Sequence, residues 1–302
     1  MKHIFVVNPC AGKSDSTRTI QEQLEALGGG VDCELYVTQA AGDATRYVRE
    51  RCAEVGEETL RFYACGGDGT LNEVLSGLVG CARAELAAYP CGSGNDYIKY
   101  YGTAADFLDL QRLMNGTMHK VDVMQVGDRY SLNVCNFGFD ALVCKTMDHV
   151  RRWPLLGGSN AYTTGILRHI LTGRNTPVKM RVDGEDFYSG RILLCTLANG
   201  SYVGGKYCCA PYSQIDDGLL EINLFRPMSI PKFASLIGSY ADGTYPTLDS
   251  VKPYHRYRRG KEVEITSPRP LYLCIDGEVL CDTHFLVRNM PRALTFVAPQ
   301  GC

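Results

Sequence analysis

The 302-residue chain has no hydrophobic run near the roughly 20 residues that a membrane-spanning helix needs; its longest apolar stretches, such as Ile192–Ala198, fall far short. It has no excess of charge of one sign, because 31 Lys and Arg against 33 Asp and Glu leave a net charge of -2, which argues against a strongly basic nucleic-acid binder. Metal-ligand spacing is also missing: no C-x-x-C occurs, and the six histidines form no H-x-x-x-H. The opening "MKHIFVVNP" runs straight into a strand-like pattern, without the long apolar region and small-residue cleavage site of a signal peptide. A soluble, intracellular protein is therefore expected, one that meets membranes from outside if at all. Internal repeats and low-complexity tracts are absent as well.

Cysteine is not scarce. The fourteen are scattered, however, and several lie inside apolar strand-like runs (Cys65, Cys195, Cys274). The adjacent pair Cys208–Cys209 suits neither a chelate nor an ordinary disulfide. Reduced thiols acting as small hydrophobes are the expectation.

With 45% hydrophobic residues the chain is globular and long enough for two domains. Its first 120 residues alternate between two periods. "HIFVVNP" reads as a short buried strand, and "STRTIQEQLEALGGG" as a helix with Ile20, Leu24 and Leu27 on one face. "DCELYVT" is again strand-like, "GDATRYVRERCAEVG" helical with Asp43 as N-cap, "TLRFYAC" a third strand, "TLNEVLSGL" a helix and "AELAAYP" a fourth strand. This alternation implies a parallel sheet covered by helices, whose ligands bind beyond the carboxyl ends of the strands.

From Val121 onward the rhythm changes. "VDVMQVGDRYSLNVCNFG" reads as two strands joined at Gly127–Asp128, and "VKMRVDGEDFYSGRILLCTLANG" as strands around an Asp183–Gly184 hairpin turn. "DGLLEINLF", "KEVEITS", "LYLCIDGE" and "THFLVRN" add more, with one helical insert over roughly Ser159–Leu171. The expected architecture is an N-terminal α/β nucleotide-binding domain with a parallel sheet over 1–124, and a mostly antiparallel β-sandwich domain over 125–290. The final apolar run "ALTFVAP" suits either half, and the segment 291–302 could return to the first.

Three turns carry chemistry. "CGGDGT", residues 65 to 70, sets Gly66, Gly67 and Gly69 around Asp68 between a strand and a helix. Such a turn exposes successive backbone N–H groups to which the helix start adds partial positive charge, making a seat for phosphate. Asp68 would itself repel phosphate, so it reads as a group that holds Mg²⁺ or orders the water around it. The lesser alternative, taken alone, is a tight bend with an Asp satisfying backbone donors. "YPCGSGNDY", residues 89 to 97, and "VVNPCAGK", residues 6 to 13, repeat the small-residue pattern at the same end of the sheet. Three such turns facing one crevice suggest a nucleotide. Further on, "LCIDGEVL" ends a strand in Asp276–Gly277–Glu278, which on residues alone reads as a hairpin turn.

These stretches, together with "GGDGTLNEVLSGL", "NFGFDA", "DDGLLE" and "IDGE", resemble in order and spacing the bacterial diacylglycerol kinase-like lipid kinases, which share a catalytic domain type with sphingosine kinases. The resemblance runs from Asn8 to about Pro299. It implies ATP held by Asn8, Thr38, Gly66, Gly67, Asp68, Gly69, Thr70, Leu71, Asn72 and Ser93. Glu73 would support that site from the helix, and Asp96 and Asp122 would be further acidic positions near the metal and its waters. Glu278 would be the general base that takes the acceptor's proton, with Asp276 assisting and Asp68 at the catalytic magnesium. A structural Mg²⁺ would sit on Asp217 and the carbonyls of Gln214 and Leu219. The implied partners are ATP and a lipid substrate at the membrane surface, reached from the cytoplasmic inner face and without nucleic acid; a homodimer stays open.

Two basic-aromatic stretches suit a bilayer's headgroups: "KTMDHVRRWPLLGGSNAYTTGILRHI", with the stripe Tyr162, Ile166 and Ile170, and "KPYHRYRRGK". Solvated surface charge explains them equally well. Two rivals to the lipid kinase remain. One is an NAD kinase-like enzyme; the chain's only Asn-Glu pair, Asn72–Glu73, follows the glycine turn itself and offers no contact for a second nucleotide. The other is a catalytically silent lipid- or nucleotide-binding regulator, against which the intact Asp68, Asp276 and Glu278 argue.

Overall fold

The computed structural model describes residues 1–28, 30–151 and 175–302. The helical insert expected over Ser159–Leu171, with its stripe Tyr162, Ile166 and Ile170, lies outside the described residues. The chain forms two compact units: Met1–Val123 with Ile215–Asp217 and Met290–Cys302, and Met124–Gln214 with Gly218–Asn289.

In the first unit, strands and helices alternate as β1 (Lys2–Val7), α1 (Thr17–Ala26), β2 (Cys33–Val37), α2 (Asp43–Glu54), β3 (Leu60–Gly66), α3 (Asp68–Leu78) and β4 (Ala84–Pro90). The sheet runs β2–β1–β3–β4, every neighbour parallel. The strand Glu278–Ala298 completes it, pairing Thr295, Phe296 and Val297 in parallel with Glu85, Leu86 and Ala87. In "ALTFVAP", Phe296 and Val297 are fully buried, opposite Leu86 and Ala87 of β4.

Two helix starts differ from the sequence expectation. Asp43 is the first helical residue of α2 rather than its N-cap, because Gly42 takes a left-handed φ of 81° and ends the loop there. The Asp43 carboxylate instead reaches back to accept Gln39 N–H at 2.8 Å and the Tyr36 hydroxyl at 2.9 Å. α3 begins at Asp68, two residues earlier than its apolar pattern, since Gly67 is extended and serves as cap. Further along α3, a Cβ on Gly77 would stand 2.7 Å from Val48 Cβ and 2.8 Å from the Thr45 carbonyl oxygen, so glycine there lets α2 and α3 touch.

The second unit is mostly antiparallel. Its strands run His255–Gly260, Leu220–Phe225, Leu194–Ala198, Val134–Gly138, Glu262–Ile275 and the beginning of Glu278–Ala298. Each neighbouring pair is antiparallel. Thr176–Val182 adds to Glu262–Ile275 and turns back through Asp183–Gly184, at φ 52° and 81°, into Glu185–Ile192. Cys135, Phe137, Leu197, Ile222, Leu224 and Leu273 lie fully buried in one core layer. "KEVEITS" and "LYLCIDGE" form one strand, not two, with a register shift between Thr266 and Leu271. The shift falls where Pro268 and Pro270 offer no N–H to the ladder. The expected hairpin at Gly127–Asp128 joins Thr117–Val126 to a short strand, Arg129–Ser131, and Val134–Gly138 follows as a third.

A helix the apolar pattern had not marked, Ile230–Ala241, starts where Ser229 Oγ accepts Lys232 N–H at 3.4 Å. All fourteen cysteines are free, and burial pushes the thiols of Cys65, Cys135 and Cys195 well up. Among the described residues no helix is long and apolar enough to cross a membrane.

Candidate active site

In the first unit the three small-residue turns interlock at the carboxyl ends of β1, β3 and β4. The carbonyl of Gly66 accepts N–H groups from Cys91 at 2.8 Å and Gly92 at 3.2 Å. A Cβ on Gly92 would lie 2.4 Å from Gly67 Cα, and one on Gly66 would lie 2.2 Å from Thr70 Oγ1. Gly12, at φ 77°, brings the first turn in, since its Cβ would be 2.1 Å from the Cys91 carbonyl oxygen. Close backbone approach, not turn shape alone, is what these glycines supply.

Asn8 fastens the corner. Its N–H donates to Cys65 O at 3.0 Å, its Nδ2 to Thr70 Oγ1 at 3.1 Å, and its Oδ1 accepts Cys10 N–H at 3.0 Å. Thr38 N–H donates to Val7 O at 2.9 Å, so Thr38 sits just past the end of β2 beside β1. Asp68 Oδ1 accepts Asp96 N–H at 2.6 Å, and a Cβ on Gly94 would come within 2.6 Å of Asp68 Oδ2. Asp96 is buried and paired with Lys99. Asn95 takes a left-handed φ of 47° and its side chain donates to Gly92 O at 2.8 Å, holding the turn that leaves Ser93 exposed. Leu71 and Asn72 are buried in α3, and the Glu73 carbonyl accepts the Thr45 hydroxyl at 2.8 Å.

Gly69 differs from its neighbours: it is exposed, and a Cβ there would meet nothing within 4 Å. Leu71 N–H makes the first bond of the α3 ladder, to Gly67 O at 3.0 Å, so the N–H groups of Gly69 and Thr70 precede it. An open space before a helix start, with a carboxylate beside it, fits a phosphate and its cation. Asp68 would supply one ligand to a magnesium ion that keeps phosphate oxygens and waters as the others.

Asp122 joins two distant segments. Only 1% exposed, it donates its N–H to Ile215 O at 2.6 Å and accepts Arg292 N–H through Oδ1 at 2.8 Å, tying the segments 215–217 and 290–302 into the first unit.

In the second unit, Asp276 and Gly277, at φ 44° and 99°, form the hairpin turn and are not extended. Asp276 Oδ2 and Oδ1 accept Leu132 N–H at 3.1 Å and Val134 N–H at 3.0 Å, which clamps the preceding connection. Glu278 is half-exposed and pairs with Arg129 Nη1 at 2.8 Å. Arg129, 149 positions earlier in sequence, was invisible to motif reading. Asp217 is half-buried and Gln214 exposed, and Gly218, at φ 78°, turns the chain between Asp217 and Leu219. Among the described residues no group of three or more His, Cys, Asp or Glu could hold a metal; one carboxylate with two main-chain carbonyls is a ligand set of another kind. Of "KPYHRYRRGK", Tyr257 is exposed and Arg258 pairs with Glu185.

The diacylglycerol kinase catalytic domain matches residues 2–126, and the YegS C-terminal NAD kinase beta sandwich-like domain matches residues 133–298. A Xanthomonas oryzae pv. oryzae protein named "Probable lipid kinase YegS-like" is 31% identical over 303 residues, covering 96% of this chain and 95% of its own. The chain belongs to the YegS-like lipid kinase family. An Enterobacter relative of the same name is 29% identical over 305 residues, with 96% and 95% covered. A crystal structure from Bacillus anthracis str. Sterne that carries a diacylglycerol kinase name superposes with a TM-score of 0.76 at 25% identity, over 99% of this chain and 96% of that one. An Archaeoglobus fulgidus NAD kinase solved with ATP, at 13% identity and a TM-score of 0.50 over 99% and 94%, shares the fold. This YegS-like chain, with the catalytic domain of named lipid kinases, is a phosphotransferase.

Proposed function

We propose that this protein transfers the γ-phosphoryl group of ATP to a hydroxyl of a diacylglycerol-like lipid, giving phosphatidic acid or an analogue. The observation that carries the reading is the open face of Gly69 at the start of α3, beside an Asp68 carboxylate oriented by Asp96 N–H at 2.6 Å. Phosphoryl transfer needs positioning and charge stabilisation more than covalent help from the protein. The N–H groups of Gly69 and Thr70 bind the phosphates, and Asn8, Thr38, Gly66, Gly67, Leu71, Asn72 and Ser93 shape the rest of the ATP site. Asp68 holds the magnesium, which neutralises charge on the phosphates when bound.

Glu278 takes the proton of the acceptor hydroxyl, and its ion pair with Arg129 orients it for that work. Asp276 fixes the turn from which Glu278 projects. Asp217 and the carbonyls of Gln214 and Leu219 would hold a second magnesium ion, whose charge would steady the turn at Gly218. The acceptor's tails keep it in a bilayer, so the enzyme works as a cytoplasmic protein at the inner face of the membrane.

The test is phosphate transfer from labelled ATP to a panel of lipids carrying a free hydroxyl, with wild type and Glu278→Ala. Labelled lipid from wild type and its loss in the variant are expected. Equal labelling by both removes Glu278 as the base, and labelling of NAD alone replaces the lipid acceptor with a soluble nucleotide.

A further inference from the structure

A cavity of about 470 Å³ opens within the first unit, and none of the glycine-turn residues lines it. Its walls include Tyr100, Tyr101, His119, Lys120, Asp216 and Arg292. Four non-glycine residues among those described take positive φ: Asn95, Asp183, Asp276 and Arg292. Three are Asn or Asp, whose short polar side chains tolerate the left-handed region; Arg292, at φ 51°, has no such excuse. The buried Asp122 carboxylate holds it there by accepting Arg292 N–H at 2.8 Å.

The result is an arginine fixed at the wall of the cavity, with Nε donating to the Asp216 carbonyl oxygen at 3.4 Å. Among the described residues no carboxylate side chain forms an ion pair with its guanidinium or with the exposed Lys120. The aromatic side is equally fixed: the Tyr101 ring stacks on Phe296 at 5.1 Å and lies 5.2 Å from His119 and 5.4 Å from Tyr100. His119 Nε2 is hidden from solvent without a hydrogen-bond partner. Lys120 and Arg292 bring two cationic side chains to a wall whose one acidic side chain is Asp216, and Cys302 with its terminal carboxylate lines it too. A planar guanidinium fork beside an ammonium matches phosphate oxygens, and the tyrosines offer an apolar wall to what the phosphate carries.

We propose that this cavity is a second phosphate site, separate from the glycine corner, which takes a phosphate monoester through Lys120 and Arg292. The monoester is either the headgroup of an anionic lipid or a soluble phosphate ester. The test uses the full chain with the glycine corner saturated by a non-hydrolysable ATP analogue. Glycerol 3-phosphate is titrated by calorimetry, and phosphatidylcholine vesicles with and without phosphatidate are tested by co-sedimentation. The comparison is the double variant Lys120→Gln with Arg292→Asn, in which Asn tolerates the left-handed backbone and keeps the N–H that Asp122 accepts.

Wild type is expected to bind at least one of the two phosphate forms saturably, and the double variant to bind it about tenfold or more weakly, as loss of charged hydrogen bonds requires. Binding to phosphatidate vesicles alone assigns the site to a lipid headgroup; binding to glycerol 3-phosphate assigns it to a soluble ester. The proposal is overturned if neither form binds saturably, or if the double variant binds as wild type does. The ATP analogue's own titration reads the kinase assignment separately, so the two can fail independently.

Discussion

Asp68 accepts the backbone N–H of Asp96 at 2.6 Å, across 28 residues of sequence, and the glycine at 94 leaves room for its other oxygen. The carboxylate at the head of α3 is thus oriented by the turn that follows β4. Asp68→Asn keeps an acceptor for that N–H and removes only the charge. Turnover is expected to fall by about a hundredfold or more, as loss of a metal-holding carboxylate implies, while the thermal melt followed by circular dichroism stays near wild type. Global unfolding of the variant would show Asp68 to be structural first.

Gly69→Ala separates stability from binding. A methyl there meets no protein atom within 4 Å, and alanine favours a helix over glycine by up to about 1 kcal/mol. The variant should melt at or above the wild-type temperature yet bind an ATP analogue more weakly, because the methyl occupies the phosphate seat. Undiminished nucleotide affinity in calorimetry would move the phosphates away from Gly69.

Glu278→Gln should lower lipid phosphorylation by about 10²–10⁴-fold, the usual contribution of a general base, and leave ATP-analogue affinity unchanged. Arg129 touches Glu278 and is assigned a positioning role. Both side chains of the pair are about half exposed, so Arg129→Gln should cost no more than about 1 kcal/mol of stability. It should still lower kcat, and Arg129→Lys should recover part of the loss. A kcat untouched by Arg129→Gln would sever the two residues.

Glu221 gives a pH prediction. It is 1% exposed, and burial pushes its carboxyl up to about 7 although Asn223 Nδ2 donates to Oε1 at 2.7 Å. The unfolded chain releases this proton near 4.5, so its stabilising effect is complete below that value and is lost as pH rises through about 7. His255, whose pKa burial lowers from 6.5 to about 4, acts in the opposite sense, costing stability as pH falls through that range. Glu221→Gln should therefore gain on wild type in melting temperature between about pH 5 and about pH 8. Parallel melting curves across that range would refute a buried, protonated Glu221.

The alternation of apolar periods made the parallel α/β half legible, because each strand and helix there is local and ends in its own turn. The three glycine turns were legible as one close-packed corner of the sheet for the same reason. What the sequence hid was pairing at a distance: Arg129 with Glu278, Asp276 with the N–H groups of Leu132 and Val134, Asp122 with Arg292. The helix Ile230–Ala241 had a readable start in Ser229 followed by Pro231, and an apolar-pattern reading passed over it. At Pro268 and Pro270 the opposite happened, and residues that look like a break only shift the register of one continuous strand.

The Gly66 carbonyl, which takes N–H groups from both Cys91 and Gly92, has one more implication. Two loops yoked through one oxygen cannot drift apart in sequence one at a time. A change of nucleotide preference, in evolution or by engineering, would have to rewrite both together, and libraries that randomise either alone should return mostly inactive clones.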